Sequence, residues 1–251
     1  MSEPELRLRN PPIIEAVLDI ECDLGPKFDI KAIETSCRNA FLDTYPKTRT
    51  QLMQGLALTM KPGEMVSQPM QSAIQAYQFL HDDEKQIVQA RVTGYSFNRL
   101  APYSSFDEYL PEIRRTWEIY RGIANPIQIG AVQLRYINRI YLPLTNGRVE
   151  LNDYFRNGPQ LPWERGLTFK GFLNQSTFEE DQTGHIATTV LTAQQPVDNK
   201  VPVIFDNAAR AASTIEPTDW QTLKATLQSL RSLKNRVFIN TLSNPCLSLF
   251  Q

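Results

Sequence analysis

Little in this chain could act as a conventional nucleophile–base pair. The 251 residues include 2 histidines, His81 and His185, and 3 cysteines, Cys22, Cys37 and Cys246. Nucleophilic catalysis needs an activated Ser or Cys beside a base, usually His. Both histidines fall beside predicted turns, where the side chain is solvated, and no G-x-S-x-G elbow occurs. The odd cysteine count with no CxxC pair is a poor disulfide framework and points to a reducing compartment. Cys37 lies among predicted helical core positions, where a thiol acts as a small apolar filler. Glycine is sparse as well: 11 are scattered, with neither G-x-x-x-x-G-K-[ST] nor G-x-G-x-x-G, which disfavours ATP or dinucleotide use through the familiar loops. The only dense run of metal-ligating types, His81-Asp82-Asp83-Glu84, sits on a tight turn and cannot converge on one ion. No metal and no cofactor is expected.

Charge of one sign is also lacking. The formal net charge is −1, without the Lys/Arg excess of a typical nucleic-acid binder. No apolar run reaches the roughly 20 residues of a spanning helix. The start, Met1-Ser2-Glu3-Pro4-Glu5-Leu6-Arg7, lacks the plan of a signal peptide. The expectation is a cytoplasmic protein with no membrane partner.

What is present is strong patterning. Pro11-Pro12 fixes an extended entry, and the strand after it alternates, with Ile14, Ala16, Leu18 and Ile20 on one side and Glu15, Asp19 and Glu21 on the other or at its end. Asp29 caps a helix bearing Ile30, Ile33, Cys37, Ala40 and Phe41. β segments are predicted near Thr50–Met60, Ser72–Leu80 and Gln86–Phe97, with a turn at residues 81–85. Ser105 and Glu108 form a capping box for a helix whose stripe includes Phe106, Tyr109, Leu110, Ile113, Trp117, Tyr120 and Ala124. The pattern then restarts. Ile127–Leu142 is strongly β, Asn146-Gly147 ends it, and Leu151–Phe155 suits a short helix. β segments follow near Leu167–Phe178, His185–Ala193 and Val201–Phe205. Thr218 with Gln221 caps a last helix carrying Trp220, Leu223, Leu227, Leu230, Leu233 and Val237.

The order strand, helix, three strands, helix thus occurs twice, which suggests an internal duplication with halves at 11–124 and 125–245 inside a single compact unit, 1–251. The fold class is α+β, with helices on one face of a shared antiparallel, saddle-like sheet. The strands at 13–20 and 131–141 are expected to be neighbours, because pairing them covers two sheet edges. That would set Glu15, Asp19 and Glu21 opposite Arg135 and Arg139.

Several short stretches, Pro11-Pro12-Ile13-Ile14-Glu15-Ala16, Gly94–Leu100, the Trp117 helix, Leu134–Ile140 and Leu233–Phe238, resemble those of an uncharacterised, sporadically distributed bacterial family with an N-terminal Pro-Pro-Ile-x-Glu-Ala signature. The resemblance spans nearly the whole chain and implies one indivisible unit. It brings no chemistry.

The polar residues that stand out are Arg91, Asn98, Arg99, Arg135, Asn138 and Arg139, because arginine is concentrated on predicted strands. The planar guanidinium suits carboxylate or phosphate, so an acidic ligand or peptide could bind there. Internal pairing with Glu15, Asp19 and Glu21 is the competing account. Glu15, Asp19 and Trp117 are either structural or part of the binding surface. Glu15 and Asp19, in phase on one strand face, also form a carboxylate pair of the kind glycosidase chemistry uses, although nothing in the sequence shows the cleft it needs. The leading functional reading is a non-enzymatic binding or regulatory protein that recognises a partner protein, in a defence or toxin-neutralising cassette by analogy with the resembling family. The alternatives are a nucleic-acid or nucleotide binder using the sheet face and an enzyme with a dispersed site.

Overall fold

The computed structural model describes residues 8–53, 56–61, 64–69, 73–144, 149–156, 158 and 170–251. The main sheet contains nine antiparallel strands: β1 (Ile13–Asp23), β2 (Lys47–Met53), β5 (Ala73–Leu80), β6 (Gln86–Arg91), β7 (Gly94–Leu100), β8 (Gln128–Pro143), β9 (Leu173–Glu179), β10 (Ile186–Ala193) and β11 (Lys200–Ile215). A separate hairpin pairs β3 (Leu56–Lys61) with β4 (Glu64–Pro69). Five helices complete the described chain: α1 (Ile30–Phe41), α2 (Phe106–Ala124), α3 (Leu151–Tyr154), α4 (Trp220–Thr241) and α5 (Asn244–Ser248).

The sheet order is β2-β5-β6-β7-β1-β8-β11-β10-β9. β1 and β8 pair antiparallel at its middle, with Leu18 opposite Leu134 and Ile20 opposite Val132. Outward from this seam lie β7, β6 and β5 on one side and β11, β10 and β9 on the other, in reverse chain order on both.

Alternation decides the faces. Ala16, Leu18, Ile20, Val132, Leu134 and Tyr136 are buried on one side of the two central strands. Ile33, Cys37 and Phe41 of α1, Ile113, Trp117 and Tyr120 of α2, and Leu223, Leu227 and Leu230 of α4 pack onto that side in one core. A second cluster, built on Ile140, Val203 and Phe205, takes α5 through Cys246 and the end of α4 through Phe238. At roughly 25 cal/mol per Å² of apolar surface buried, this packing dominates the stability. The opposite face, carrying Glu15, Asp19, Arg91, Arg135 and Arg210, is left without a helix layer among the described residues.

Local signals explain most element ends. Asp29 accepts from the Lys31 amide and Ser105 from the Glu108 amide, both as expected. Asp219, not Thr218, caps α4, accepting from the Thr222 amide. The segment expected as one strand over Gln86–Phe97 turns at Val92-Thr93 into β6 and β7. Gly94 makes that possible: its φ is +136°, and a Cβ there would come within 2.1 Å of the Ile20 carbonyl oxygen. β11 runs to Ile215, far beyond Phe205, because its outer half keeps alternating through Ala209 and Ala211 into the core. β2 is largely exposed, with Leu52 turned to solvent, so the apolar side expected of Thr50–Met60 does not form in that strand. Asn146-Gly147 and Leu167–Phe169 lie outside the described residues.

Candidate functional site

The polar residues singled out in the sequence divide between the two sheet faces. On the open face the acids and arginines neutralise one another. Asp19 accepts from both Arg91 and Ser96. Arg135 makes a bidentate pair with Asp206 on the neighbouring strand, at 2.9 Å and 3.0 Å from Nε. The Asp206 hydrogen bond holds the Arg135 guanidinium above its ordinary pKa, with Glu15 and Asp19 adding weaker attraction. Arg210 bonds Glu21 at 2.7 Å. Glu15 takes a hydrogen bond from the Asn98 amide at 2.7 Å, and Asn98 in turn accepts from Gln89 at 2.8 Å. The expected opposition of Glu15, Asp19 and Glu21 to Arg135 and Arg139 is therefore replaced by pairs with other partners. The register is the cause: Arg135 faces Val17, and the acids stand diagonal to it. Arg139 lies exposed on the same face.

Arg99 and Asn138 belong to the helix-covered side. The Arg99 guanidinium stacks over the Tyr109 ring at 5.3 Å, with Asp83 at 3.6 Å. Trp117 is 1 % exposed and meets Tyr95 edge-on at 5.7 Å, which makes it a core residue. The six candidates thus form no single constellation.

The structure gathers a different one. A cavity of about 540 Å³ opens between the start of β1, the middle of β8, the first turn of α2 and the last third of α4. Pro11, Pro12 and Ile13 form one wall, and Tyr136 and Asn138 rise from β8. Ser104, Ser105, Phe106 and Asp107 bring the N-terminus of α2 to the cavity, and Arg231, Lys234, Asn235 and Phe238 come from α4. Three of the stretches noted in the sequence, 11–16, 134–140 and 233–238, therefore meet at one place. Asn138 is the one candidate from the arginine-rich set that lines it.

Lys234 is the unusual member. It is 6 % exposed, and its Nζ lies 3.5 Å from the centre of the Tyr136 ring. No carboxylate pairs with it among the described residues. Burial pushes its amine well below the ordinary value of 10.5, and the positive charge of Arg231 adds to that. Arg231 is engaged with Asp107 at 2.9 Å and stacks over Phe106 at 5.6 Å. The Tyr136 hydroxyl shares a 2.8 Å hydrogen bond with that of Tyr103. Burial raises the Tyr136 phenol to about 12, so both phenols are protonated at neutral pH. In the cavity wall Asn138 donates to the Tyr136 and Phe205 carbonyls, while its Oδ1 has no partner among the described residues. Asn207 donates to the Lys234 carbonyl, and its Oδ1 likewise lacks a partner among the described residues.

The histidines occupy other places. His81 meets Asp83 at 3.1 Å, and Glu84 of the same turn is held by Lys47 and Arg49. His185 Nδ1 has Ser229 Oγ at 3.4 Å and Glu180 at 3.9 Å. A proton relay needs its acid and its nucleophile on opposite ring nitrogens, and here both approach Nδ1. Cys22, Cys37 and Cys246 are free thiols that burial pushes up to about 12, which removes their nucleophilicity.

The Lys234 cavity was missed in the sequence although a signal for it exists. Leu227, Leu230, Lys234, Phe238 and Thr241 follow helical spacing, which sets a lysine on the apolar stripe of α4. No helix of the described residues is long and apolar enough to cross a membrane. No protein-family model matches this chain, and no curated protein is significantly similar to it.

Proposed function

We propose that this chain is a non-enzymatic binding protein, and that the cavity between β8, α2 and α4 receives an acidic group of a partner protein. The observation that carries the reading is Lys234, a buried lysine lining the cavity with which no carboxylate pairs among the described residues, since the cavity's Asp107 is held by Arg231. Leaving such a group unpaired costs stability, and sites that bear such a cost are more often functional than structural. An incoming carboxylate would complete it with a charge-assisted pair. The first-turn amides of α2 point the same way, since the leading N–H groups of a helix have no acceptor within it and favour negative charge. Pro11, Pro12, Phe106 and Phe238 offer apolar surface beside the charged end, which suits a peptide better than a bare ion.

The strand order on the two sides of the β1–β8 seam favours an internal duplication and a saddle-like sheet. A place in a defence or toxin-neutralising cassette rests on the family resemblance alone. The nucleic-acid alternative is less well supported, because Arg91, Arg135 and Arg210 on the open sheet face each have a carboxylate partner. Phosphate recognition uses cations that are free to release counterions.

Titration calorimetry with an acidic peptide, beside the same peptide with its carboxylates amidated, tests the proposal. The acidic peptide should bind and the amide should not, and Lys234→Met should weaken binding roughly tenfold to a hundredfold, in line with about 1.5–3 kcal/mol for a hydrogen bond to a charged group. Equal affinity for both peptides would overturn it.

A further inference from the structure

A lysine in a pocket is commonly there for its charge, yet this one is placed to be used as an amine. Three observations converge. Lys234 is shielded on nearly all sides, with the Tyr136 ring at 3.5 Å and the Arg231 guanidinium on the preceding turn of α4. Burial and the Arg231 charge favour the neutral amine, because a buried cation is costly and a second cation nearby repels it, and they outweigh the attraction of the Tyr136 ring face for the ammonium. The space in front of it, about 540 Å³, accommodates a small molecule. Finally, the Tyr103–Tyr136 hydroxyl pair borders the same cavity, and its bridging hydrogen bond uses only one of the two phenolic protons.

We infer that Lys234 captures a small carbonyl compound as an imine in this cavity, the favoured class being aldehydes or oxo acids that also carry a carboxylate. This deepens the reading of the cavity as an acid-binding site, since the carboxylate would face the first turn of α2 and Arg231. The step balances without any redox partner. The Nζ lone pair attacks the carbonyl carbon, and a C–N bond forms as the carbonyl oxygen takes a proton. The resulting hydroxyl takes a second proton, the C–O bond breaks and water leaves. The nitrogen loses both of its hydrogens over the sequence, leaving C=N, so amine plus carbonyl gives imine plus water. The free phenolic proton of the tyrosine pair is the local donor to the oxygen, and the ring face of Tyr136 stabilises the iminium as it now does the ammonium.

The groups facing Lys234 set the pH behaviour. From α4 there is Arg231, from α2 Asp107, from β8 Tyr136, and from the segment before α2 Tyr103. Among the described residues facing it Asp107 is the acidic one, and it is paired with Arg231.

The test uses the full chain, glyoxylate as the probe and cyanoborohydride to reduce any imine to a stable carboxymethyl-lysine, read by peptide mass mapping at neutral pH. Lys234 should be labelled at least about tenfold faster than exposed lysines such as Lys27 and Lys31, since each unit by which a pKa falls raises the neutral fraction about tenfold. Lys234→Met should lose that adduct. Tyr103→Phe, which keeps the lysine, should slow labelling without abolishing it, so the result does not depend on one variant's folding. Labelling of Lys234 no faster than that of Lys27 and Lys31 would overturn the inference. Acetate, which has no carbonyl electrophile, separates the two claims. Binding of acetate and the acidic peptide without labelling sinks the imine and leaves acid binding intact. Labelling that acetate and the peptide cannot slow sustains the imine and sinks the acid site.

Discussion

Lys234 shows how one buried residue can make stability depend on pH. In the folded chain burial holds its amine below the ordinary value of 10.5, whereas in the unfolded chain it titrates near that value. Between those two pKa values the unfolded state binds the extra proton, so stability rises with pH across the window and is lowest below the folded pKa. Each unit of that window corresponds to about 1.4 kcal/mol. Lys234→Met should therefore be more stable than the parent at neutral pH, with the difference shrinking as the pH approaches 10.5. Thermal melts of both proteins from pH 6 to 10.5 check this, and a gap that stays constant with pH contradicts it. The open-face pairs behave differently. Arg210 and Glu21 are each nearly half exposed, so their bond contributes at most about 1 kcal/mol. Glu15 accepts from Asn98 of the neighbouring strand β7 and adds weak attraction to Arg135 of β8.

At the scale of elements, strong local signals were readable and long-range ones were not. The alternation of Ile14–Ile20, the caps at Asp29 and Ser105 and the stripe through Trp117 act within one or two turns, and each produced the expected element. The β1–β8 pairing followed from edge-covering logic. Ion-pair partners did not, because they depend on register: Arg135 faces Val17, and only a shift of two residues along β1 would set it opposite Glu15 or Asp19 instead. The split of Gln86–Phe97 was hidden because the turn contains neither proline nor an Asn-Gly pair, and the glycine that permits it stands after it. Gly94→Ala tests that account. The added methyl meets the Ile20 carbonyl and a positive φ, so a loss of at least about 2 kcal/mol is expected in chemical denaturation, against under 1 kcal/mol for Gly122→Ala, where nothing lies within 4 Å of the new carbon. The cavity was illegible for a further reason. Its walls come from residues 8–13, 103–107, 136–138 and 231–238, and only the folded sheet brings these together.

For the molecule as a whole, the seam between β1 and β8 joins residues 11–124 to residues 125–245. Leu18, Ile20, Val132 and Leu134 belong to the same core cluster as α1, α2 and α4, so neither half keeps its core alone. Unfolding should accordingly be a single transition in which fluorescence and circular dichroism coincide, and two resolved transitions would show separable domains. The cavity lies across that seam, drawing on Pro12 and Tyr103 from one side and on Tyr136 and Lys234 from the other, so it exists only when both sides are folded together. The central claim, that this cavity takes an acidic group onto Lys234, is tested most directly by titrating the acidic peptide in two buffers of different ionisation enthalpy. A carboxylate beside the lysine raises its pKa, so binding should take up a proton in the parent protein and none in Lys234→Met. Binding with no proton uptake, or with the same uptake in the variant, would contradict it.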